Sequence, residues 1–450
     1  MIAQMVLPLL AAAPGLALLL MVERAPRHSL ALMRDMLLLS PAFALLFTVF
    51  MALSVALCVR LLGRLIKPGW HHGNGPTPWA LWMTDRIMEQ SRFALFPLYA
   101  SSFTNRWLRL CGIPVGPRTE VSNVVGLNRL TRLGSASFAA DDVVFACARA
   151  RDGWLYVAPI EVGDRTFLGN SAILQAGSTI GDDSLIGVMT LAPPAPAPGT
   201  SWLGSPALEL PRRPMCADPA RTINPPLRLR VARRLMDMIR ILLPGSVAFA
   251  LGSGAYGLAE DIHRHLGVAW MAVAMPFILL ALGVGAVLVT VVVKWALMGR
   301  YTAGDHPFFS FYVWRDEIVN SCQEQLAGPL LMDMALGTPL MSLYLRLLGA
   351  PVGSDVWVEN LNTTEFDLAS FADGSAVARG AVVETHLFHD RVMSTGPVLI
   401  GAGASLGPSS VALPDTVIGD GTSVGGRSIV MRGEELPAGS RWHGAPVGPR

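Results

Sequence analysis

Charge is scarce in this 450-residue chain. Asp, Glu, Lys and Arg supply 15% of it against 52% for hydrophobic residues, and the mean hydropathy is +0.45. A soluble domain carries about 25% charged residues, so part of this chain belongs in lipid. Net charge is scarce as well, +2 at neutral pH, with the arginines spread out instead of gathered on one helix, which excludes a nucleic-acid surface. Cysteine is sparse: Cys58, Cys111, Cys147, Cys216 and Cys322 are odd in number, far apart and form no C-x-x-C pair. That excludes a zinc site and a disulfide framework, leaving five small buried thiols of the kind a cytoplasm-facing domain keeps reduced. A basic n-region is missing too. Val6 to Val22 is apolar with one proline inside it at Pro14, and does not read as a secretory leader.

A six-residue period is present in strength. Between Val398 and Leu436, aliphatic or small apolar residues recur at Ile400, Leu406, Ala412, Ile418, Val424, Val430 and Leu436, often followed by glycine. Six is neither a helix period nor a strand period. It is the signature of a hexapeptide-repeat parallel β-helix, in which each repeat supplies a short strand and a turn and three strands complete a rung. A second run passes through Val115, Val121, Leu127, Leu133, Ala139 and Phe145, is interrupted around Arg149 to Pro159, and resumes at Val162, Leu168, Leu174, Ile180, Ile186 and Ala192. The approaches WLRLCGIPVG (Trp107 to Gly116) and YLRLLGAPVG (Tyr344 to Gly353), and the exits SWLGSPA (Ser201 to Ala207) and RWHGAPV (Arg441 to Val447), repeat at offsets of 237 and 240. The chain carries a duplicated unit.

Apolar runs separate the repeats. Val6 to Val22 and about Met36 to Leu62 form a first pair, about Ile239 to Leu258 and Val268 to Leu297 a second, and all but the first reach the length a bilayer needs. The expected fold is two left-handed parallel β-helix domains alternating with two pairs of transmembrane helices. The expected order is a transmembrane pair (1–66), a connecting helical segment (67–111), β-helix 1 (112–212), a linker (213–238), a second transmembrane pair (239–298), a second connecting segment (299–348) and β-helix 2 (349–450). Basic residues Arg60, Arg64, Lys67, Arg228, Arg230, Arg233, Arg234, Lys294 and Arg300 flank the β-helical side. The positive-inside rule then puts both β-helices on the cytoplasmic face of a multi-pass inner or plasma membrane protein in contact with lipid.

Chemistry is concentrated where the second repeat is interrupted, in ETHLFHDRVM, Glu384 to Met393. His386 there is a candidate general base, since imidazole titrates near neutral pH. Asp390 is a candidate orienting carboxylate, and His389 and Arg391 are candidate substrate contacts, Arg391 toward a carboxylate or phosphate. An exposed polar loop satisfying strand ends is the plainer alternative. The first copy reads ACARARDGW, with Ala148 opposite His386, Arg151 opposite His389 and Asp152 opposite Asp390. Lacking the imidazole, that copy reads as structural, donor-binding or regulatory. Upstream, Glu365 and Asp367 are candidates for holding an ammonium group, where the first copy has Asn128 at the Glu365 position. Asp373 reads as a turn cap. His306, Arg315 and Glu317 read as a cap and surface ion pairs, and His443 as a tail residue.

These same segments, YTAGDHPFFSFYVWRDE, YLRLLGAPVG, TEFDL, THLFHDRVM and MRGEELPAGSRWHGAP, resemble the membrane-embedded C-terminal half of ε-poly-L-lysine synthetase-like non-ribosomal peptide synthetases. The similarity runs through nearly the whole chain, strongly in the second unit and loosely in the first. In that group, transmembrane helices alternate with tandem acyltransferase-like β-helices that join aminoacyl units, delivered as pantetheine thioesters, through amide bonds. The resemblance implies an acyl or aminoacyl transferase using a carrier-bound phosphopantetheine or coenzyme A thioester, with no tightly bound cofactor and no metal. Neither an adenylation nor a carrier segment is recognisable, so both are expected in trans, and two β-helices stand where larger members have three. Homo-oligomerisation, or pairing of the two β-helices within one chain, is a further expectation. Two other readings fit the sequence: an acyl-CoA-dependent O- or N-acyltransferase acting on a sugar, lipid or metabolite, and a non-catalytic membrane scaffold that docks a synthetase.

Overall fold

The computed structural model of the chain describes residues 11–13, 15, 29–212 and 218–449. Every residue of the six-residue periods lies inside a prism. Ile400, Ala412, Ile418 and Val430 have no exposed surface, and Leu406, Val424 and Leu436 have almost none. The strands pair in parallel at a spacing of one rung, as in Ile400 with Ile418 and Leu406 with Val424. Three sheets form the faces of the second prism, and the first prism is built the same way, with Ile180 paired to Val162 and Ile186 to Leu168. The physical cause is repetition: each aliphatic side chain stacks on its equivalent one rung away, so one pattern satisfies every layer. An antiparallel turn closes each prism, Ser201–Leu203 on Leu208–Leu210 and Arg441–His443 on Gly448–Pro449.

Because Ile418 is packed above and below, Ile418→Ala should cost about 2–5 kcal/mol, the range for truncating a buried aliphatic side chain. Leu399→Ala, on the outer face at 42% exposure, should stay within about 0.5 kcal/mol. Chemical denaturation of the two variants compares them directly, and equal midpoints would contradict the inward-facing assignment.

Contacts divide the chain into two compact units, one mostly Pro41–Ile241 and one mostly Leu242–Arg450. Among the described residues three helices are long and apolar enough to cross a membrane, with spans at Arg34–Gly63, Pro219–Leu266 and Val268–Leu297. They correspond to α1 (Ser29–Gly63), to α3 (Leu227–Leu266) with the short turn Pro219–Thr222 ahead of it, and to α4 (Val268–Leu297), with α2 (Pro76–Ala94) lying between the first two in the chain. The run from Val6 to Val22 lies outside the described residues except at 11–13 and 15, so no pairing of spans is drawn for it.

The expected linker differs from the structure in its second half. Residues 227–238 are the first turns of α3, whose 40 residues extend about 60 Å, twice the hydrocarbon thickness of a bilayer. Two of the basic residues of α3, Arg233 and Arg240, sit with Asp237 on one buried face of the helix, while Arg228, Arg230 and Arg234 stay exposed. Arg233 Nε lies 3.1 Å from Asp237 Oδ1, Arg233 donates to the Ala100 carbonyl at 2.6 Å, and Arg240 donates to the Pro97 carbonyl at 2.9 Å. Charge that looks solvated in sequence is here the docking face of a helix, with each guanidinium satisfied by backbone oxygens.

Candidate active site

The interruption of each prism has one size. Phe371 pairs with Ile400 and Leu133 with Val162, both 29 residues apart, whereas Ile400 and Ile418 are separated by 18. The extra 11 residues leave the prism as an antiparallel hairpin. In the second unit the hairpin is His386–His389 with Val392–Thr395, and Gly304–Pro307 adds a third strand. Ala148–Arg151, Trp154–Val157 and Gly69–His72 form the counterpart in the first unit.

Within this hairpin the sequence candidates part company. Asp390 and Arg391 occupy its two-residue turn with φ of 47° and 65°, both in the left-handed region that a tight hairpin of this twist requires. Asp152 and Gly153 repeat the turn at 50° and 78°. The shared aspartate therefore follows from backbone geometry, and its carboxylate lies 3.4 Å from His389 Nε2. Arg391 is buried, with its guanidinium 6.0 Å over the Phe308 ring and its carbonyl accepting from the Phe308 N–H at 2.9 Å.

The group that holds His386 is Glu365. Nδ1 of His386 lies 3.0 Å from Oε1 and 3.1 Å from Oε2, and Glu365 itself has no exposed surface. Thr385 and Thr364 donate their hydroxyls to Oε2 at 2.5 and 2.9 Å. Nε2 faces the other way, 3.6 Å from Glu384 Oε1, and the ring is 20% exposed. The arrangement is a carboxylate–imidazole dyad: the buried partner holds Nδ1 and orients the ring, with Nε2 on the side of Glu384.

Electrostatics reinforce the pair. Burial alone would push His386 down, but the charge and hydrogen bond of Glu365, with Glu384 and Asp316 nearby, raise it to about 10. Burial likewise pushes Glu365 up, yet the His386 charge and the hydrogen bonds from His386, Thr385 and Thr364 hold it below its ordinary value. Asp316 is buried and receives the Tyr301 hydroxyl at 2.9 Å. Burial and the neighbouring Glu365 charge lift its carboxyl well above the usual range. Two carboxyls close together thus titrate apart, Glu365 held down by the imidazole and Asp316 pushed up by burial and by the Glu365 charge.

Asp367 points elsewhere, accepting from Lys294 Nζ at 2.8 Å and from the Tyr301 N–H at 3.1 Å. His306 lies face to face on Tyr312 at 3.5 Å. The sequence singles out Glu365 and His386 without joining them, and gives no role to Asp316, Tyr301 or Glu384. Asp316 and Tyr301 do stand inside YTAGDHPFFSFYVWRDE, but nothing in a linear string marks a buried carboxyl.

The first unit keeps the frame and loses the chemistry. Asn128 donates to Cys147 Sγ at 2.9 Å, where Thr385 donates to Glu365 in the second unit. Ala148 begins the hairpin where His386 does. A neutral amide and a methyl group occupy the places of the ion pair.

A hexapeptide-repeat β-helix bearing a buried carboxylate–imidazole dyad and linked to membrane-length helices is the class this fold and site define. Among curated proteins the chain is similar to the Delta-poly-L-ornithine synthetase of Acinetobacter baumannii (strain AB307-0294), 32% identical over 414 residues, which is 91% of this chain. The chain spans 31% of the length of that relative. Among solved structures, similarity extends to the serine acetyltransferase of Neisseria gonorrhoeae (13% identity, 48% of this chain and 72% of that one, TM-score 0.23). It also extends to a maltose O-acetyltransferase from Clostridium difficile 630 (17% identity, 37% and 89%, TM-score 0.22). No family model matches the chain.

Proposed function

We propose that the second unit is a transferase that forms an amide bond from a pantetheine thioester donor, carrier-bound or coenzyme A, to an amine acceptor. The Glu365–His386 dyad carries this reading. The acceptor nitrogen approaches His386 Nε2, which takes its proton. Nε2 releases that first proton to water, and the neutral amine attacks the thioester carbon. Nε2 then takes a second proton from the adduct nitrogen and delivers it to the departing thiolate as the C–S bond breaks. A base lifted toward 10 by its acidic surroundings is matched to an alkylammonium, whose ordinary pKa is about 10.4, so proton transfer between them is nearly balanced.

Glu365 is the orienting carboxylate in this scheme, taking the role the sequence suggests for Asp390. Glu384 sits where it faces an incoming cation. His389 and Arg391 belong to the hairpin, Asp367 to the support of the Glu365 segment. Activation and carrier functions are supplied in trans, as the resemblance to ε-poly-L-lysine synthetase-like enzymes implies. Both prisms wind left-handed and face the cytoplasm, anchored by the membrane helices, and the first unit serves as structure or as a donor platform.

The experiment feeds the purified full chain an aminoacyl thioester on a carrier protein, or an acyl-CoA, with a diamine acceptor, and follows thiol release. Amide product from the carrier-bound donor supports the proposal. Product from acyl-CoA alone favours a small-molecule acyltransferase, and no product from either sinks the transferase reading.

A further inference from the structure

Glu365 lies in a segment outside the regular rungs, and that segment is fastened at two points to one helical scaffold. Helix α5 (Phe311–Cys322) runs directly into a π-helical stretch, Gln323–Met332, a rare geometry associated with functional sites. Gln323, its first residue, is fully buried. Its Nε2 donates to the carbonyls of Leu361 at 2.5 Å and Thr363 at 3.1 Å, just ahead of Glu365. Its Oε1 is buried with no hydrogen-bond partner among the described residues, a cost that a side chain kept only for packing would not carry.

The scaffold behind Gln323 is α4. Gly283 of α4 approaches so closely that a Cβ there would meet the Leu330 carbonyl oxygen at 2.7 Å. Thr290 of the same helix donates to the carbonyls of Ala286 at 2.9 Å and Cys322 at 3.5 Å. One turn further along, Lys294 holds Asp367 at 2.8 Å. The carboxylate of the dyad is thus clamped from both sides by groups that rest on a membrane-length helix.

We propose that Gln323 is a positioning residue for the transfer reaction, its amide setting where Glu365 meets His386 Nδ1 and so tying the dyad to α4. This rests on the function proposed above, but its test does not. The measurement is the titration of the His386 imidazole in the full-length protein in detergent, by NMR of histidine-labelled samples, with His386→Gln identifying the signal. Glu365, Glu384 and Asp316 are the ionisable groups that act on this ring, and the Glu365 charge also reaches His306, Tyr301 and Tyr312.

In Gln323→Met, which keeps the length and loses the donor, the midpoint should fall by about one unit or more as Glu365 withdraws. Turnover should fall about tenfold or more with KM for the donor unchanged. An unshifted midpoint in folded Gln323→Met overturns the proposal. If that variant does not fold, Gln323→Asn, whose amide stops one methylene short, is read by the same criterion. A shifted midpoint in a protein with no transfer activity at all leaves the positioning role standing and removes the transferase reading instead.

Discussion

His386→Gln should lower the rate of thiol release about 10²–10⁴-fold, the usual contribution of a positioned general base, while KM for the donor stays close to the wild-type value. In the proposed mechanism the imidazole moves the proton and does not hold the donor, so the loss should fall on the chemical step. Glutamine preserves bulk and a polar tip in a position that is only 20% exposed, so the fold should survive, and unchanged thermal unfolding would establish that. His389→Gln is the internal control. It sits three residues along the same strand and pairs with the turn residue Asp390, so its rate should move less than about threefold, the modest scale of a partly exposed ion pair. Full activity in His386→Gln would remove this imidazole from the proposed mechanism and require another base.

Glu365→Gln should act on the pH profile as well as on the rate. The wild-type base must lose its proton before it can accept one, and with His386 raised to about 10 the rate should climb with pH until it levels near that value. Removing the Glu365 charge removes the largest upward influence, so the midpoint should move toward the ordinary imidazole value of about 6.5. The plateau should drop about 100-fold or more, since a neutral amide no longer fixes the tautomer. Stability follows the same sign. A histidine raised on folding stabilises the native state fully below its unfolded pKa, and that contribution is lost as pH rises through about 10. Wild-type protein should therefore lose stability up to that pH, whereas Glu365→Gln, whose imidazole deprotonates earlier, should show no such loss there. A variant with the wild-type midpoint would mean that another group governs the profile.

Much of this is legible in the string of residues, for a definite reason. The prism is a local repeat, and the inward positions from Ile400 to Leu436 announce themselves by their distance from the one before. The 11-residue hairpins are visible as breaks in that rhythm, and the contrast between His386 and Ala148 follows from counting. The dyad itself is not legible. Glu365 and His386 are 21 residues apart, and Asp390, only four from His386, is the nearer partner in the string, whereas in the folded chain it serves the turn. Asp367 reads as a companion of Glu365, but the short helical turn between them sends it toward Lys294. The basic stretch before residue 239 reads as linker because sequence does not say which face of a helix is covered.

By itself, then, the sequence determined the two coils, their duplication and the presence of membrane-length helices, because each depends on neighbours a few residues away and on a pattern repeated many times. Only the tertiary structure decided which carboxylate faces His386, that the Asp316 carboxyl is buried and pushed above its ordinary range by burial and the Glu365 charge, and that Gln323 and Lys294 support the segment that carries Glu365. Those pairings depend on where separate turns of the coil and the helices against it come to lie in space. Burial then shifts how they titrate, by a desolvation that no single position carries on its own.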